Sequence, residues 1–155
     1  MTRDVITVEV NNRQTHHEIQ PSRLQDAVRV VLQGEDVQAA TVSIAVVDDA
    51  AIHDLNRRYL QHDYPTDVLS FLLERDPGSL DGEVIVSVET AARECGHYGW
   101  SVQDELLLYA VHGALHLVGF DDQEPRQSDR MRAKEQFYLN QLVPLPQEPS
   151  TDGGI

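Results

Sequence analysis

His112 and His116 stand four residues apart in HGALHLVGFDD, residues 112 to 122, and Gly119, Asp121 and Asp122 follow directly. On a helix, residues four apart lie one turn apart on one face. That spacing lets two imidazoles converge on one ion. A glycine just beyond the helix lets the chain turn back, so Asp121 or Asp122 could supply a third ligand. Imidazole together with carboxylate suits zinc, and manganese, nickel and iron also accept such a set. Three protein ligands leave a position for water or substrate, the property of a catalytic rather than a structural site. The competing explanation is a purely structural pair, since two histidines four apart occur on many helices. The apolar setting counts against it, because unpartnered imidazoles are costly to bury. Gly113 stands where H-E-x-x-H metalloproteases carry their general base, so a peptidase reading lacks that group. A small residue there would let substrate or a neighbouring strand approach the helix.

The elements that must position these residues follow from periodicity. VITVEV (5 to 10) alternates as a half-buried strand does. PSRLQDAVRVVLQG predicts a helix with Leu24, Val28, Val31 and Leu32 on one face and Gly34 as its stop. TVSIAVVDD is a β-branched strand, and DDAAIHDLNRRYL a helix capped by Asp48 or Asp49. Pro65 sets the entry to a buried strand, DVLSFLL (67 to 73), and Thr66 or Asp67 would bond local backbone. RDPGSLDGE reads as a turn cluster and VIVSV (84 to 88) as a further strand. TAARECGHYG is a short helix ended by Gly96 or Gly99. The histidine helix starts at Ser101, with Asp104 in the position of a capping box. Asp104 and Glu105 suit the positive end of its dipole. Residues 125 to 142 give a last helix with Met131, Phe137 and Leu142 among its apolar positions. Strands interspersed with helices predict an α/β layered domain: a mixed sheet of about four strands with the histidine helix packed on it.

A chain of 155 residues fits one domain with a real core. The single cysteine, Cys95, cannot close an intramolecular disulfide, which points to a reducing compartment. No stretch is long and apolar enough to span a membrane, so the expected location is the cytoplasm. A net charge of −14 argues against a broad phosphate-binding face but leaves room for a local groove or a bound cation. Part of the acid falls in PLPQEPSTDGGI, a tail with little to bury that should be mobile.

HGALHLVGFDD resembles the signature of the YbeY family, H-G-x-L-H-L-x-G-Y-D-H. LNRRYLQHDYPTDVLSF (55 to 71) is similar to that family's L-N-x-x-Y-R-x-x-D-x-P-T-D-V-L-S-F, and GEVIVS (82 to 87) to its G-D-I-V-I-S. The resemblance runs from about residue 43 to 139. It implies a hydrolase domain over residues 1–143, with 144–155 as the tail. It implies a metal-dependent endoribonuclease acting on single-stranded RNA, active in 3′-end maturation of small-subunit ribosomal RNA and in ribosome quality control. One zinc ion per chain, RNA and the ribosome or its small subunit as partners, and no DNA or membrane partner go with that reading.

Two departures stand out. The family's third histidine aligns with Asp122, which gives His112, His116 and Asp122 as the ligand set; Asp121 matches the family's own aspartate and is read as supporting the ligands or ending the helix. Aspartate is a competent zinc ligand, but its charge weakens the ion as a Lewis acid. At Leu60 the family carries an arginine linked to RNA binding or catalysis. Leucine cannot pair with phosphate, so Arg57 and Arg58 become the candidate phosphate contacts beside His112, with two solvated surface arginines as the alternative. Ser70 could face the cleft, while His16, His17, His53, His62 and His97 are expected to be inert. Besides the nuclease, two readings compete. One is a ribosome-associated maturation or binding factor with a metal site of low activity. The other is a metallohydrolase acting on another substrate.

Overall fold

The computed structural model describes residues 5–62 and 66–143. Pro65 and the tail expected over 144–155 lie outside the described residues. Nine elements follow in order: β1 (Val5–Asn12), α1 (Pro21–Gly34), β2 (Ala39–Val47), α2 (Asp49–Leu60), β3 (Val68–Asp76), β4 (Ser79–Ser87), α3 (Val88–Glu94), α4 (Val102–Leu117) and α5 (Pro125–Leu142), with a short 3-10 turn, Cys95–Tyr98, after α3. The four strands form one sheet in the order β1-β2-β4-β3. β1, β2 and β4 run parallel, and β3 pairs antiparallel with β4 at the edge. This is the mixed α/β architecture that the interspersed pattern predicts.

Period-two alternation sorts the two faces. Val42, Ile44 and Val46 of β2 join Val84 and Val86 of β4 in the larger core, against α1, α3, α4 and α5. Ala45, Val47 and Ile85 point the other way, onto Ile52 of α2 and Leu69 of β3. The sheet is thus a middle layer between α2 and the remaining helices. Strands covered on both faces must be apolar at nearly every position, which explains the unbroken IAVV and VIV runs.

Several boundaries differ from the sequence expectation. The turn between β3 and β4 narrows to Pro77 and Gly78, and Ser79–Glu83 belong to β4. The long parallel pairing with β2 outweighs their turn-prone composition. Val88 begins α3 rather than ending a strand, because the Ser87 hydroxyl caps the helix by accepting from Thr90 N–H. Gly34 remains inside α1, where an added Cβ would lie 2.6 Å from the Tyr138 ring; the left-handed residue is Asp36, φ 65°. On α5, Phe137 is exposed, and the core contacts come from Met131, Tyr138 and Leu139, with Leu142 half-buried against them.

α4 is the buried axis of the helical layer, and it starts and stops as its sequence suggests. Ser101 Oγ accepts from Asp104 N–H at 3.1 Å. The Asp104 carboxylate does not close the capping box; it pairs with Arg23 at 3.1 Å. A full capping box forms instead at α5, between Glu124 and Gln127. Gly119 adopts φ 109° after the last turn of α4, a conformation that suits glycine. Gly113 packs the helix against the sheet: a Cβ there would come within 2.6 Å of Val84 Cγ1 and 3.0 Å of Ser70 Oγ. Ser70 donates to the Gly113 carbonyl at 2.9 Å. It is therefore a neighbouring strand that the small residue admits. Gly113→Val should destabilise the fold by about 1–3 kcal/mol through overpacking. Thermal unfolding should show the Tm falling by several degrees, at roughly 2–4 °C per kcal/mol for a chain this size; an unchanged Tm would contradict the close approach.

Candidate metal centre

Glu105, Tyr109, His112 and His116 succeed one another along α4 at spacings of four, three and four. Those intervals keep them on one helical face. α4 carries His112 and His116 side by side, and the turn after Gly119 returns Asp122 to them. His112 Nε2 and His116 Nε2 are 3.1 Å apart. Asp122 Oδ2 lies 3.5 Å from His112 Nε2, and Asp122 Oδ1 lies 3.7 Å from His116 Nε2. Tetrahedral ligands at zinc–nitrogen distances of about 2.0–2.1 Å would be about 3.3 Å apart. The three atoms therefore match the edges of such a site closely. The metal-ligand group found among the described residues is this one. Asp121 instead accepts the Asp122 N–H at 2.7 Å, fixing the turn that aims Asp122.

Glu135 of α5 is the member that sequence reasoning missed. Its carboxylate accepts from His112 Nδ1. That bond assigns the proton to Nδ1 and leaves the Nε2 lone pair facing His116 and Asp122. A carboxylate behind a ligating imidazole is the usual arrangement at metal sites. Burial lowers the His112 pKa, but hydrogen bonding to Glu135 and the nearby negative charge outweigh it and hold the imidazole above its ordinary value. Burial and His112 push His116 below its ordinary value. The centre thus gathers two imidazoles and the carboxylates of Asp122 and Glu135. That is the environment a divalent cation fits. Glu135 lies 13 residues beyond Asp122, past a loop, and no local spacing points to it.

The centre opens on a cleft of about 620 Å³, walled by Asn56 and Leu60 of α2, Thr66 to Ser70, Leu72, Leu117, and the turn from Gly119 to Gln123. His62, which the sequence leaves among the inert histidines, lines this cleft, and so does Ser70. Arg57 and Arg58 do not line it. With about 100° per residue, Asn56 and Leu60 share the cleft face, Arg57 sits on its shoulder and Arg58 points the opposite way. Both guanidiniums bond Asp54, at 3.0 and 3.1 Å. The structure thus brings His112, His116 and Asp122 together and leaves the two arginines outside.

The family model for endoribonuclease YbeY matches residues 9–143. A relative named endoribonuclease YbeY from Salinibacter ruber is 38% identical over 137 residues, covering 83% of this chain and 87% of the relative. Another of that name, from Moorella thermoacetica, is 40% identical over 145 residues, covering 84% and 93%. This chain belongs to the endoribonuclease YbeY family. A Thermotoga maritima protein with a known solution structure shares the fold, with a TM-score of 0.59 and 25% identity across 89% of each chain. The YbeY-like helix thus accounts for the histidine pair, the glycine between them and the returning turn. Asp122 closes the centre beyond that turn, and Leu60 borders its cleft.

Glu105, in the first turn of α4, is buried: only 3% of it is exposed, and its Oε1 has no hydrogen-bond partner. Burial raises its pKa, partly offset by a hydrogen bond with Tyr109; Glu94 and Asp67 add to the rise and His97 opposes it. Burial, with Glu105 adding to it, pushes the Tyr109 phenol up. A carboxyl with a raised folded pKa keeps its full stability below the ordinary value near 4.5 and loses it as pH rises through the folded value. Glu105→Gln should therefore gain Tm relative to the parent from pH 4 to pH 8, measured by calorimetry; a constant difference would remove the buried charge from the account. Glu135→Gln should weaken divalent-metal affinity about 10–100-fold by isothermal titration; unchanged affinity would show that Glu135 does not orient His112.

Proposed function

We propose that the chain is a metal-dependent endoribonuclease that cleaves single-stranded RNA. Its place is the maturation of ribosomal RNA, including the 3′ end of the small-subunit species, and ribosome quality control. The ribosome or its small subunit is the partner, and the cytoplasm is the location. No helix among the described residues is long and apolar enough to cross a membrane. The observation that carries the reading is the convergence of His112 Nε2, His116 Nε2 and an Asp122 oxygen at the wall of an open cleft, in a chain of the YbeY family.

His112, His116 and Asp122 would hold one zinc ion, with Glu135 fixing the His112 tautomer. Bound there, zinc supplies Lewis acidity to a phosphate oxygen and lowers the pKa of water. The chain's own residues shape what reaches it. Asn56, Thr66, Ser70 and Gln123 offer polar groups along the cleft. Leu60, in the position of the family's arginine, offers none. A phosphate contact from Arg57 or Arg58 requires its guanidinium to leave Asp54, so their contribution is to affinity outside the cleft.

Leu60 also supports a second reading, a ribosome-associated binding factor with low turnover, since it lines the cleft and is 43% exposed. Cleavage of single-stranded RNA, measured with the purified protein, should fall at least about 100-fold on chelation and in His116→Ala. Equal cleavage in all three samples would mark a contaminating nuclease. Leu60→Arg should raise the rate on the order of tenfold or more by stabilising charge on the transferring phosphate. Metal-independent ribosome association without turnover would select the second reading.

A further inference from the structure

His112 has clefts on two sides. The second, about 460 Å³, is walled by Thr90, Arg93 and Glu94 of α3, by Glu105, Leu108, Tyr109 and His112 of α4, and by Glu135. Thr66, Asp67, Val68 and His112 line both clefts, so the two meet at the metal centre. Glu105 lies two turns back along α4 from His112, roughly 10 Å along the axis. That span suits one nucleotide with its phosphate at the metal centre.

The chemistry of this second cleft is that of an acceptor, not a phosphate site. Asp67, Glu94, Glu105 and Glu135 all border it. Its arginine is engaged elsewhere: Arg93 Nη1 donates to Asp49 at 2.5 Å and Nη2 to Thr90 at 3.1 Å. Phosphate would be repelled. Glu105 Oε1 is buried without a partner, and a buried acceptor left unsatisfied is costly. The Glu105 side chain lines the cleft, and a turn about its last side-chain bond presents that oxygen to an N–H donor arriving there.

We propose that the second cleft receives the base of the nucleotide next to the scissile phosphate, and that the Glu105 carboxylate accepts a hydrogen bond from its exocyclic amine. Cytosine, adenine and guanine carry such an amine. Uracil presents carbonyl oxygens on either side of its N3–H, which face a carboxylate unfavourably. Carboxylates accept from the cytosine amine in the same way in nucleic-acid recognition. Glu105 is then a specificity residue of the cleavage reaction, and the inference rests on the RNA-cleaving reading of the adjacent centre.

The test uses the full metal-loaded chain and single-stranded RNA randomised around one cleavable position. The parent protein should cleave beside amine-bearing bases at least about fivefold more often than beside uracil at one flanking position, the lower end of what one base-edge contact supplies. Glu105→Gln should lose or invert that preference, because a carboxamide can turn its NH2 toward the uracil carbonyl. Thermal unfolding and metal content of the variant establish that it is folded and loaded. A parent protein indifferent to the flanking base, or a variant with the parental profile, overturns the inference while leaving the nuclease reading intact. Titration of the metal-loaded protein with CMP and with UMP separates the remaining case. If no RNA is cleaved, the functional reading fails, and tighter CMP binding that is lost in Glu105→Gln still assigns the cleft. Equal binding of CMP and UMP overturns the assignment.

Discussion

Everything at the centre depends on the hydrogen bond between His112 Nδ1 and Glu135. It fixes which imidazole nitrogen carries the proton. With Nδ1 as donor, Nε2 is a bare lone pair 3.1 Å from the second imidazole and 3.5 Å from a carboxylate oxygen. Three acceptors held together with little proton to share are electrostatically unfavourable alone. They become favourable around a cation. The constraint also explains why α5 must be docked before the site exists, although the ligands lie on α4 and its following turn.

The rest of the fold serves to hold α4 at the correct depth. Gly113 lets the helix settle on Val84 and Ser70, and Gly82 lets Leu117 settle on β4, where a Cβ would lie 2.7 Å from Leu117 Cδ2. On the far side of the sheet, Asp49 at the start of α2 accepts from Ser87 at 2.6 Å, Thr90 at 2.8 Å and Arg93. That cluster ties α2 to α3, so the walls of the two clefts are set by one network. Glu105 Oε1 is buried without a hydrogen-bond partner within this frame, and such a group calls for an explanation.

Much of this was legible in the sequence where local rules apply. The spacing of His112 and His116, the caps at Asp48 and Ser101 and the turn at Gly119 are decided within a few residues. So is the alternation of β2. What was hidden depends on partners distant in the chain. Glu135 reaches His112 across 23 residues, and nothing nearby in the sequence marks it as a partner of that histidine. Ser79–Glu83 form a strand because β2 is there to pair with, against their own composition. Glu105 shares a helical face with Tyr109 and both histidines, so the first-turn position that suits the helix dipole is also one that packs inward. Arg57 and Arg58 show the reverse: their types suit phosphate, but their positions on α2 leave them off the cleft lining, where both pair with Asp54.

Asp122 and Leu60 both border the cleft at the metal centre. One brings negative charge to the centre and the other an apolar side chain to its approach. His112, His116 and Asp122 supply three converging donors there. X-ray absorption of the zinc-titrated protein tests that geometry most directly. One equivalent of zinc with two imidazoles and a carboxylate oxygen at about 2.0–2.2 Å is the predicted result, with the imidazole signal falling from two to one in His116→Ala. Failure to take up zinc, or a coordination shell unchanged in that variant, would contradict it.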